Sequence, residues 1–158
     1  MATFGDKSSA KLATAHPVLE QVARAVIVVY DHTIIFGWRG QEDQDEAYRV
    51  GNSTKPWSES KHNYIARHSD VEDGHAAREG DPMSLGLDWA PWYYERPHVR
   101  WNRLNEFIYL AGLYVMAGDA IAKPAGYAIR WGGNWDMDQI LITDQTLADL
   151  GHVELVKV

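Results

Sequence analysis

The residues nearest the C-terminus that could carry out chemistry are Asp149, His152 and Glu154. In a β-strand alternate side chains share a face, so His152 and Glu154 would point the same way while Val153 faces the opposite side. Asp149 lies in the turn just before the strand, close enough to reach whatever His152 binds. An imidazole with a nearby carboxylate can hold a metal ion and help to deprotonate water. The alternative is an exposed edge strand that carries a histidine by chance.

Two further segments carry metal-ligating side chains. The first surrounds His62 (SKHN), and the second, residues 82–91 (PMSLGLDWAP), contains Ser84, Gly86 and Asp88. Neither has a short-range metal-binding spacing such as HExxH, so neither is diagnostic by itself. Small residues at Ser84 and Gly86 would let a strand pack closely beside a site and leave Asp88 to project from it. Taken singly, His62 is typical of a surface histidine and Asp88 of a turn or a helix cap.

Hydrophobic periodicity predicts the elements that position these residues in the first half of the chain. After Pro17, apolar residues at helical spacing predict an amphipathic helix that extends to Val29. Residues 33–36 are mostly β-branched or aromatic and predict a strand that closes at Gly37. The acidic residues 41–48 predict a short and largely exposed helix.

In the second half, residues 50–82 hold few apolar residues and many charges, and they predict an irregular excursion. A further amphipathic helix is predicted from apolar residues at helical spacing, which are Trp101, Leu104, Ile108, Ala111 and Val115. Gly118 is predicted to end that helix. Residues 128–131 and 152–158 predict strands. Helices together with separated strands predict an α+β domain with a mainly antiparallel sheet flanked by helices.

The composition limits the classes of protein that are possible. With 158 residues the chain fits one domain, 1–158, and 46% hydrophobic with 23% charged residues is normal for a folded protein. The absence of cysteine excludes disulfides, thiolate metal ligands and a cysteine nucleophile. A net charge of −7 without a basic stripe argues against nucleic-acid binding. The N-terminus lacks the apolar core of a signal peptide, and no stretch approaches the roughly 18 apolar residues of a membrane span. We therefore expect synthesis without Sec-dependent export and no stable membrane insertion.

Taken together and in this order, the three segments resemble a known family. The sequences SKHN around His62, PMSLGLDWAP around Asp88 and DLGHVE around His152 are similar to the motifs of the zinc D-alanyl-D-alanine peptidase superfamily, the VanY-like or Hedgehog type. Within it, the nearest likeness is to the L-alanyl-D-glutamate endopeptidases that tailed bacteriophages use as endolysins. The segment GWR, with Gln41 and Gln44 following it, and the segment RWGGNW from Arg130 agree, so the likeness spans nearly the whole chain. It implies the α+β fold of the Hedgehog/D-Ala-D-Ala-peptidase type.

The resemblance implies that His62, Asp88 and His152 ligate one Zn²⁺ per chain. Two imidazoles and one carboxylate leave a fourth tetrahedral position for water, which is the catalytic arrangement of ligands. Asp149 would be the general base, and Arg39 would stabilise the oxyanion that develops on the scissile carbonyl. The alternative for Arg39 is a surface salt bridge with the acidic residues that follow it.

Supporting roles follow from the same resemblance. Ser60 would donate a hydrogen bond to the substrate or orient His62, and Glu154 would hold a ligating imidazole from outside. Three tryptophans would frame the cleft or, as the alternative, pack in the core, and these are Trp89, Trp131 and Trp135.

The spacing between the first two implied ligands departs from the family pattern. His62 and Asp88 are 26 positions apart, whereas the family motif places them much closer. Because the flanking motifs match, residues 64–81 are predicted to be an insertion, and long loops beside active sites are often lids or specificity elements. The insertion contains His68 and His75, either of which could replace His62 as the first ligand.

The resulting hypothesis is a zinc peptidase that hydrolyses an amide bond in the peptide stem of bacterial peptidoglycan. The favoured bond is L-alanyl-D-glutamate, and the implied setting is a monomeric phage lysis enzyme, made in the host cytoplasm and released to the cell wall by another factor. The rivals are a D,D-carboxypeptidase or dipeptidase of the same superfamily and a non-catalytic zinc- or wall-binding module. Asp149 and Arg39 count against the binding module, because binding alone needs neither residue.

Overall fold

The computed structural model describes residues 1–145 and 148–158, and a four-stranded antiparallel sheet lies at its centre. The strands, in chain order, are β1 (His32–Phe36), β2 (Gly86–Pro91), β3 (Tyr127–Trp131) and β4 (His152–Lys157). Their order across the sheet is β1-β2-β4-β3, and each neighbouring pair is antiparallel. The predicted α+β class with a mainly antiparallel sheet is therefore confirmed.

Helices flank the sheet. They are α1 (Asp6–Leu12), α2 (Pro17–Ile27), α3 (Gln41–Arg49), α4 (His68–Glu72) and α5 (Leu104–Ile121), with 3₁₀ turns at Lys61–Asn63 and Lys123–Ala125. Helix α2 begins at Pro17, whose fixed φ suits a first turn, and Nδ1 of His16 accepts a hydrogen bond from the backbone of Val18. The helices predicted after Pro17 and from Gln41 are confirmed, as are the three predicted strands.

Side chains alternate across the sheet, and this alternation divides it into an apolar and a polar face. On the apolar face Leu87, Val153 and Leu155 are fully buried. On the polar face Asp88 of β2 lies directly opposite His152 of β4. Because β4 lies between β2 and β3, the interpretation of the His152 segment as an exposed edge strand is wrong.

The apolar face is covered by α5, which packs on β2 and β3, and α2 packs on α5. Buried side chains from these helices form much of the core, namely Leu19, Val22, Val26, Phe107, Leu110 and Tyr114. Trp89 of β2 belongs to the same core and is 0% exposed, with its ring stacked on that of Tyr114 at a centroid distance of 5.3 Å. The prediction that Trp89 frames the cleft is therefore wrong, because its strand position points it to the apolar face.

Helix α5 does not end at the glycine that was predicted to end it. The helix passes through Gly118 and continues to Ile121. A Cβ placed on Gly118 would lie 2.9 Å from Cβ of Ile129 in β3, which is closer than real contacts allow. The residue is a glycine because helix and strand approach each other closely there, not because the helix needs a terminator.

The buried face of α5 also differs from the prediction. Phe107 and Tyr114 are buried, whereas Leu104 and Val115 remain 45% and 38% exposed, and Trp101 precedes the helix. Apolar residues of α5 occur on most sides of the helix, so helical periodicity alone does not predict which side is buried. In the described ranges, no helix combines the length and apolar character that crossing a membrane requires.

Residues 64–81 form an excursion from the sheet whose two ends are joined by backbone hydrogen bonds, and we call these joined ends the neck. At the neck the backbone N–H of Met83 donates to the carbonyl of Tyr64 (3.1 Å), and that of Ala66 donates to the carbonyl of Asp81 (2.8 Å). Apart from α4, the excursion is irregular, as predicted. Its two ends therefore lie side by side, although many residues separate them in sequence.

Candidate metal centre

Three side chains from distant parts of the chain meet on the polar face of the sheet. His62 comes from the first 3₁₀ turn, Asp88 from β2 and His152 from the start of β4. Nε2 of His62 lies 3.0 Å from Oδ1 of Asp88 and 3.2 Å from Nδ1 of His152, and that Nδ1 lies 2.8 Å from the same Asp88 oxygen. Both imidazoles are buried. The structure thus brings together the three residues that the resemblance implies as ligands.

Outer hydrogen bonds fix which nitrogen of each imidazole faces this group. Nδ1 of His62 donates to the carbonyl of Gly37 (2.7 Å), which leaves Nε2 with a free lone pair. Nε2 of His152 lies 3.1 Å from Oε2 of Glu154, and donation to that carboxylate leaves Nδ1 with the lone pair. Two imidazole lone pairs and one carboxylate oxygen therefore converge on one point, where they repel one another unless a cation lies between them.

The donor set and its dimensions fit a zinc ion. Zinc binds nitrogen and oxygen ligands at about 2.0–2.2 Å in a tetrahedron, so neighbouring ligand atoms are about 3.3–3.6 Å apart. The three donor atoms here are 2.8, 3.0 and 3.2 Å apart, so small outward shifts bring them to that geometry. Ligating imidazoles are usually supported in this way, by a backbone carbonyl or a carboxylate that accepts a hydrogen bond from the outer ring N–H.

The local electrostatics also favour a positive charge at this point. Burial opposes ionisation of Asp88, but the adjacent imidazoles of His62 and His152 hold the pKa of its carboxyl well below the usual range. Burial likewise opposes protonation of His152, but its hydrogen bonds with Asp88 and Glu154 raise the pKa of this imidazole to about 10. The carboxylates of Asp88 and Glu154 thus make this point favourable for a positive charge.

Arg39 is held directly behind Asp88. Its guanidinium donates through Nη2 to Oδ2 of Asp88 (3.0 Å) and through Nη1 to Oε1 of Gln44 (3.1 Å), and the residue is 7% exposed. The interpretation of Arg39 as a surface partner of the acidic residues in α3 is therefore wrong. Within α3, Arg39 instead contacts the amide of Gln44. Gln44 is fully buried, although the rest of this helix is largely exposed.

Gln44, which agrees with the family resemblance but was given no role there, has a structural role at the site. Its Nε2 donates to the backbone carbonyl of Lys55 (2.6 Å) and to Oγ of Ser53 (2.9 Å), and its Oε1 accepts from Asn63 (3.2 Å) as well as from Arg39. This amide therefore ties together the arginine and the loop that follows α3. The helical period of α3 could have marked Gln44 as the position that faces inward, but no local pattern names its partners.

Asp149 lies at the turn before β4, and its backbone carbonyl accepts from the N–H of His152 (3.2 Å). A Cβ on Gly132 would lie 2.9 Å from Cβ of Asp149, so only glycine lets the two segments approach. Asp149 faces the cavity solvent, yet loss of hydration beside the cavity wall and the charge of Asp88 raise the pKa of its carboxyl. A carboxyl with a raised pKa is a better proton acceptor in catalysis than an ordinary one.

Glu154 connects a candidate metal ligand, His152, to a second arginine. Its Oε2 contacts His152, while its Oε1 accepts from Nε of Arg130 (3.1 Å) and from Nη2 of the same residue. Burial opposes ionisation, but the hydrogen bonds from His152 and Arg130 lower the pKa of Glu154 to about 2. Arg130 is a further site residue that the motifs did not single out as functional.

The remaining predicted site residues divide between the cavity and the core. Ser60 caps the 3₁₀ turn, and its Oγ accepts from the backbone N–H of His62 (3.2 Å). Trp135 lines the cavity and lies beside His152 at a ring distance of 5.6 Å. Trp131 is instead 4% exposed and donates to the carbonyl of Leu150 (2.9 Å), so its predicted place at the cleft is wrong. As the inward residue of β3, it supports the site from the core.

The candidate ligands line a cavity of about 830 Å³. Its walls include the loop of residues 51–55 together with Ser60, Arg130, Trp135 and Asp149. A cavity of this size accepts a ligand of several amino-acid residues. None of the described residues that line it comes from 64–81.

The two alternative histidines lie away from the metal group. His68 is exposed and pairs with Glu72 at 3.4 Å in α4. His75 packs against the ring of His16 at a centroid distance of 4.5 Å and contacts Tyr127 at 6.3 Å. These contacts place the excursion against the start of α2 and of β3.

A second group of carboxylates lies in the loop between β3 and β4 and consists of Asp136, Asp138 and Asp144. All three are exposed. The carboxylate of Asp138 accepts from the backbone of Ile140 (2.6 Å), which stabilises the turn. Exposed acidic groups of this kind are common on protein surfaces, and the buried group at His62 is the better candidate metal centre.

A His, Asp, His group with two buried imidazoles, beside a further carboxylate and a cavity, is a possible metal-binding site of the kind that hydrolases use. The model of the phage L-alanyl-D-glutamate peptidase family matches residues 1–156. The chain is 31% identical over 163 aligned positions to the L-alanyl-D-glutamate peptidase of Escherichia phage T5, with 97% of each chain covered. The fold is similar to that of the Serratia marcescens L-Ala D-Glu endopeptidase ChiX, with a TM-score of 0.61, 20% identity, and coverage of 97% of this chain and 89% of ChiX.

The chain therefore belongs to the phage L-alanyl-D-glutamate peptidase family. The resemblance drawn from the three motifs is confirmed, and with it the class of enzyme.

Proposed function

We propose that this chain is a zinc endopeptidase that cleaves the L-alanyl-D-glutamate bond in the peptide stem of bacterial peptidoglycan. Family membership carries the reaction and the substrate class. The convergence of lone pairs from His62 and His152 on Oδ1 of Asp88 carries the metal dependence. Zinc suits this set of two imidazoles and one carboxylate, which leaves a coordination position open.

Asp149 is the general base in this proposal. When bound, zinc supplies a Lewis acid that polarises the scissile carbonyl and lowers the pKa of water from about 15.7 to about 7. Asp149 faces the same cavity as the ligands, and its raised pKa suits a carboxylate that takes a proton and later returns it. It accepts the proton of the attacking water and transfers it to the amine of D-glutamate as the bond breaks.

Three other residues position the reacting groups. Arg39 fixes the free oxygen of Asp88 and adds positive charge where the carbonyl oxygen becomes negative. Glu154 keeps the lone pair of His152 directed at the metal. Ser60 fixes the turn that carries His62 and lines the cavity, where its hydroxyl is available to the substrate.

The biological setting proposed is that of a phage endolysin. The enzyme is made in the host cytoplasm, reaches the cell wall through another phage factor and acts there as a monomer. Kinship with a peptidase of Escherichia phage T5 supports this setting.

The zinc content of purified variants tests the ligand set. His62→Ala should lose bound zinc, because it removes one of three protein ligands, whereas His68→Ala and His75→Ala should keep one zinc per chain. The measurement is elemental analysis of protein purified without chelator. Full zinc occupancy in His62→Ala would overturn the assignment.

Digestion of purified peptidoglycan tests the bond. Mass spectrometry of the products should show new C-terminal L-alanine and new N-terminal D-glutamate. Release of free D-alanine without these ends would instead identify a D,D-carboxypeptidase, and the absence of any new end would identify a binding module.

A further inference from the structure

The substrate of the proposed reaction carries a negative charge next to the bond that breaks. In the peptide stem, D-glutamate continues the chain through its side-chain carboxyl, so its α-carboxylate stays free. That carboxylate lies one carbon from the nitrogen that becomes the leaving amine. A peptidase that selects this bond therefore gains from a cation on the leaving-group side of its metal centre.

The cavity holds four basic side chains, and two of them are already committed. They are Arg39, Lys55, Lys61 and Arg130. Arg39 is paired with Asp88, and Arg130 is paired with Glu154. Within the described residues, neither lysine has an acidic partner in salt-bridge distance, so their charges are available to a ligand.

Lys61 is the lysine that lies next to the metal group. It stands between Ser60 and His62, and its carbonyl accepts from the backbone N–H of Leu85 (3.0 Å), which fixes the backbone at this point. A Cβ on Gly86 would lie 3.2 Å from Cβ of Lys61 and 3.4 Å from Nε2 of His62. The side chain of Lys61 therefore starts beside the ligands, and the missing side chain of Gly86 keeps the space between them open.

Lys55 is placed differently. It belongs to the exposed loop 51–55, whose position is set by the bonds from Gln44 to Ser53 and to the Lys55 carbonyl. It lines the same cavity but lies outside the 3₁₀ turn that carries His62. Lys55 is therefore a control for Lys61, because both are cavity lysines and Lys61 is the one that shares this turn with His62.

We propose that Lys61 is a specificity residue whose ammonium group binds the free α-carboxylate of the D-glutamyl residue. This inference rests on the proposed function and goes beyond it, because it names the group that distinguishes this bond from an ordinary peptide bond. An ammonium offers three donors and a full charge to a carboxylate, and such charge-assisted bonds are the stronger class. Their loss corresponds to about a 10- to 100-fold change in kcat/KM.

Two synthetic substrates and three variants test the proposal. The substrates are N-acetyl-L-alanyl-D-isoglutamyl-L-lysine with the α-carboxylate free, and the same peptide with that group as a carboxamide. The wild type should prefer the carboxylate by about 10- to 100-fold in kcat/KM. Lys61→Met should lose this preference by slowing only the carboxylate peptide, Lys61→Arg should restore part of it, and Lys55→Met should keep it.

The outcomes separate this proposal from the proposed function. A wild type that cleaves both peptides equally, or a Lys61→Met variant that slows both equally, would overturn the role of Lys61 and leave the peptidase intact. A wild type that cleaves neither peptide nor peptidoglycan would overturn the function itself and the inference with it. Zinc content is measured on every variant, and if Lys61→Met binds none, Lys61→Gln, which keeps a polar side chain, replaces it in the same comparison.

Discussion

Oε2 of Glu154 lies 3.1 Å from Nε2 of His152, on the side of the imidazole that faces away from Asp88. The two residues are neighbours on one face of β4, and Arg130 holds the other oxygen of the same carboxylate. The strand thus supplies a candidate ligand and the group that orients it from positions two residues apart.

Glu154→Ala should weaken zinc binding by about 10- to 100-fold, since outer partners of ligating histidines typically contribute that much. Glu154→Gln should lose less, because its amide oxygen can still accept from Nε2 of His152. Competition with a chromophoric zinc chelator measures the affinity of both variants. Equal zinc affinity in wild type and Glu154→Ala would show that the orientation of His152 is set elsewhere.

Asp149→Asn should keep its zinc and lose about 10²- to 10⁴-fold in kcat, because the amide cannot accept the proton of water. The matched control is Asp144→Asn, which removes another carboxylate of the cavity wall and should leave kcat close to that of the wild type. Turnover of a stem peptide and zinc content are measured together. Retention of wild-type kcat in Asp149→Asn would exclude it as the base.

Substitution of two glycines of α5 by alanine should change the stability of the protein in opposite directions. Gly118→Ala places a methyl group against Ile129 and should lower the free energy of unfolding by about 1–3 kcal/mol, as overpacking does. Gly112 is exposed and a Cβ there meets nothing within 4 Å, so Gly112→Ala should raise stability by about 0.5–1 kcal/mol. Urea unfolding of both variants gives the comparison. Similar stability changes of one sign would contradict the packing role of Gly118.

His32 should make the stability depend on pH. Its Nδ1 donates to the carbonyl of Tyr30 (2.9 Å), its Nε2 accepts from the hydroxyl of Tyr114 (2.8 Å), and burial lowers its pKa to about 4. The neutral form is the stable one, so its contribution is complete above pH 6.5 and is lost as the pH falls from 6.5 towards 4, by at most about 1.4 kcal/mol per pH unit.

The variant His32→Gln isolates that contribution, because glutamine can make both hydrogen bonds without titrating. Its unfolding free energy should fall less steeply than that of the wild type between pH 6.5 and 4. Both proteins carry the same metal group, so any loss of zinc in acid cancels in the difference. Identical slopes for the two proteins would contradict a neutral, buried His32.

Local patterns were sufficient for most of the elements, whereas the residues that meet at the site followed from the resemblance of three motifs to a known family. Strand alternation placed His152 and Glu154 on one face, and the structure has them in contact. The same alternation places Trp89 on the apolar face, and this decides between the two roles, cleft or core, that the sequence left open for it. The alternation of side chains along a strand therefore predicts the position of a tryptophan better than the presence of a candidate ligand next to it in sequence.

The contacts that depend on tertiary packing could not be predicted in this way. The amide of Gln44 joins Arg39 to the loop at Lys55, and these partners meet only after α3 has packed. Gly118 has the residue type of a helix terminator, and only the position of Ile129 shows why it is small. In both cases the cause is a neighbour distant in sequence, which periodicity and capping rules do not include.

The closed neck at Ala66 and Asp81 makes the sequence distance between His62 and Asp88 irrelevant to their distance in space. The chain can lengthen or shorten beyond that neck while the two side chains stay in place. Sequence patterns that require a fixed interval between these ligands will therefore overlook relatives with other loop lengths. Patterns anchored on the short flanks of each ligand will find them.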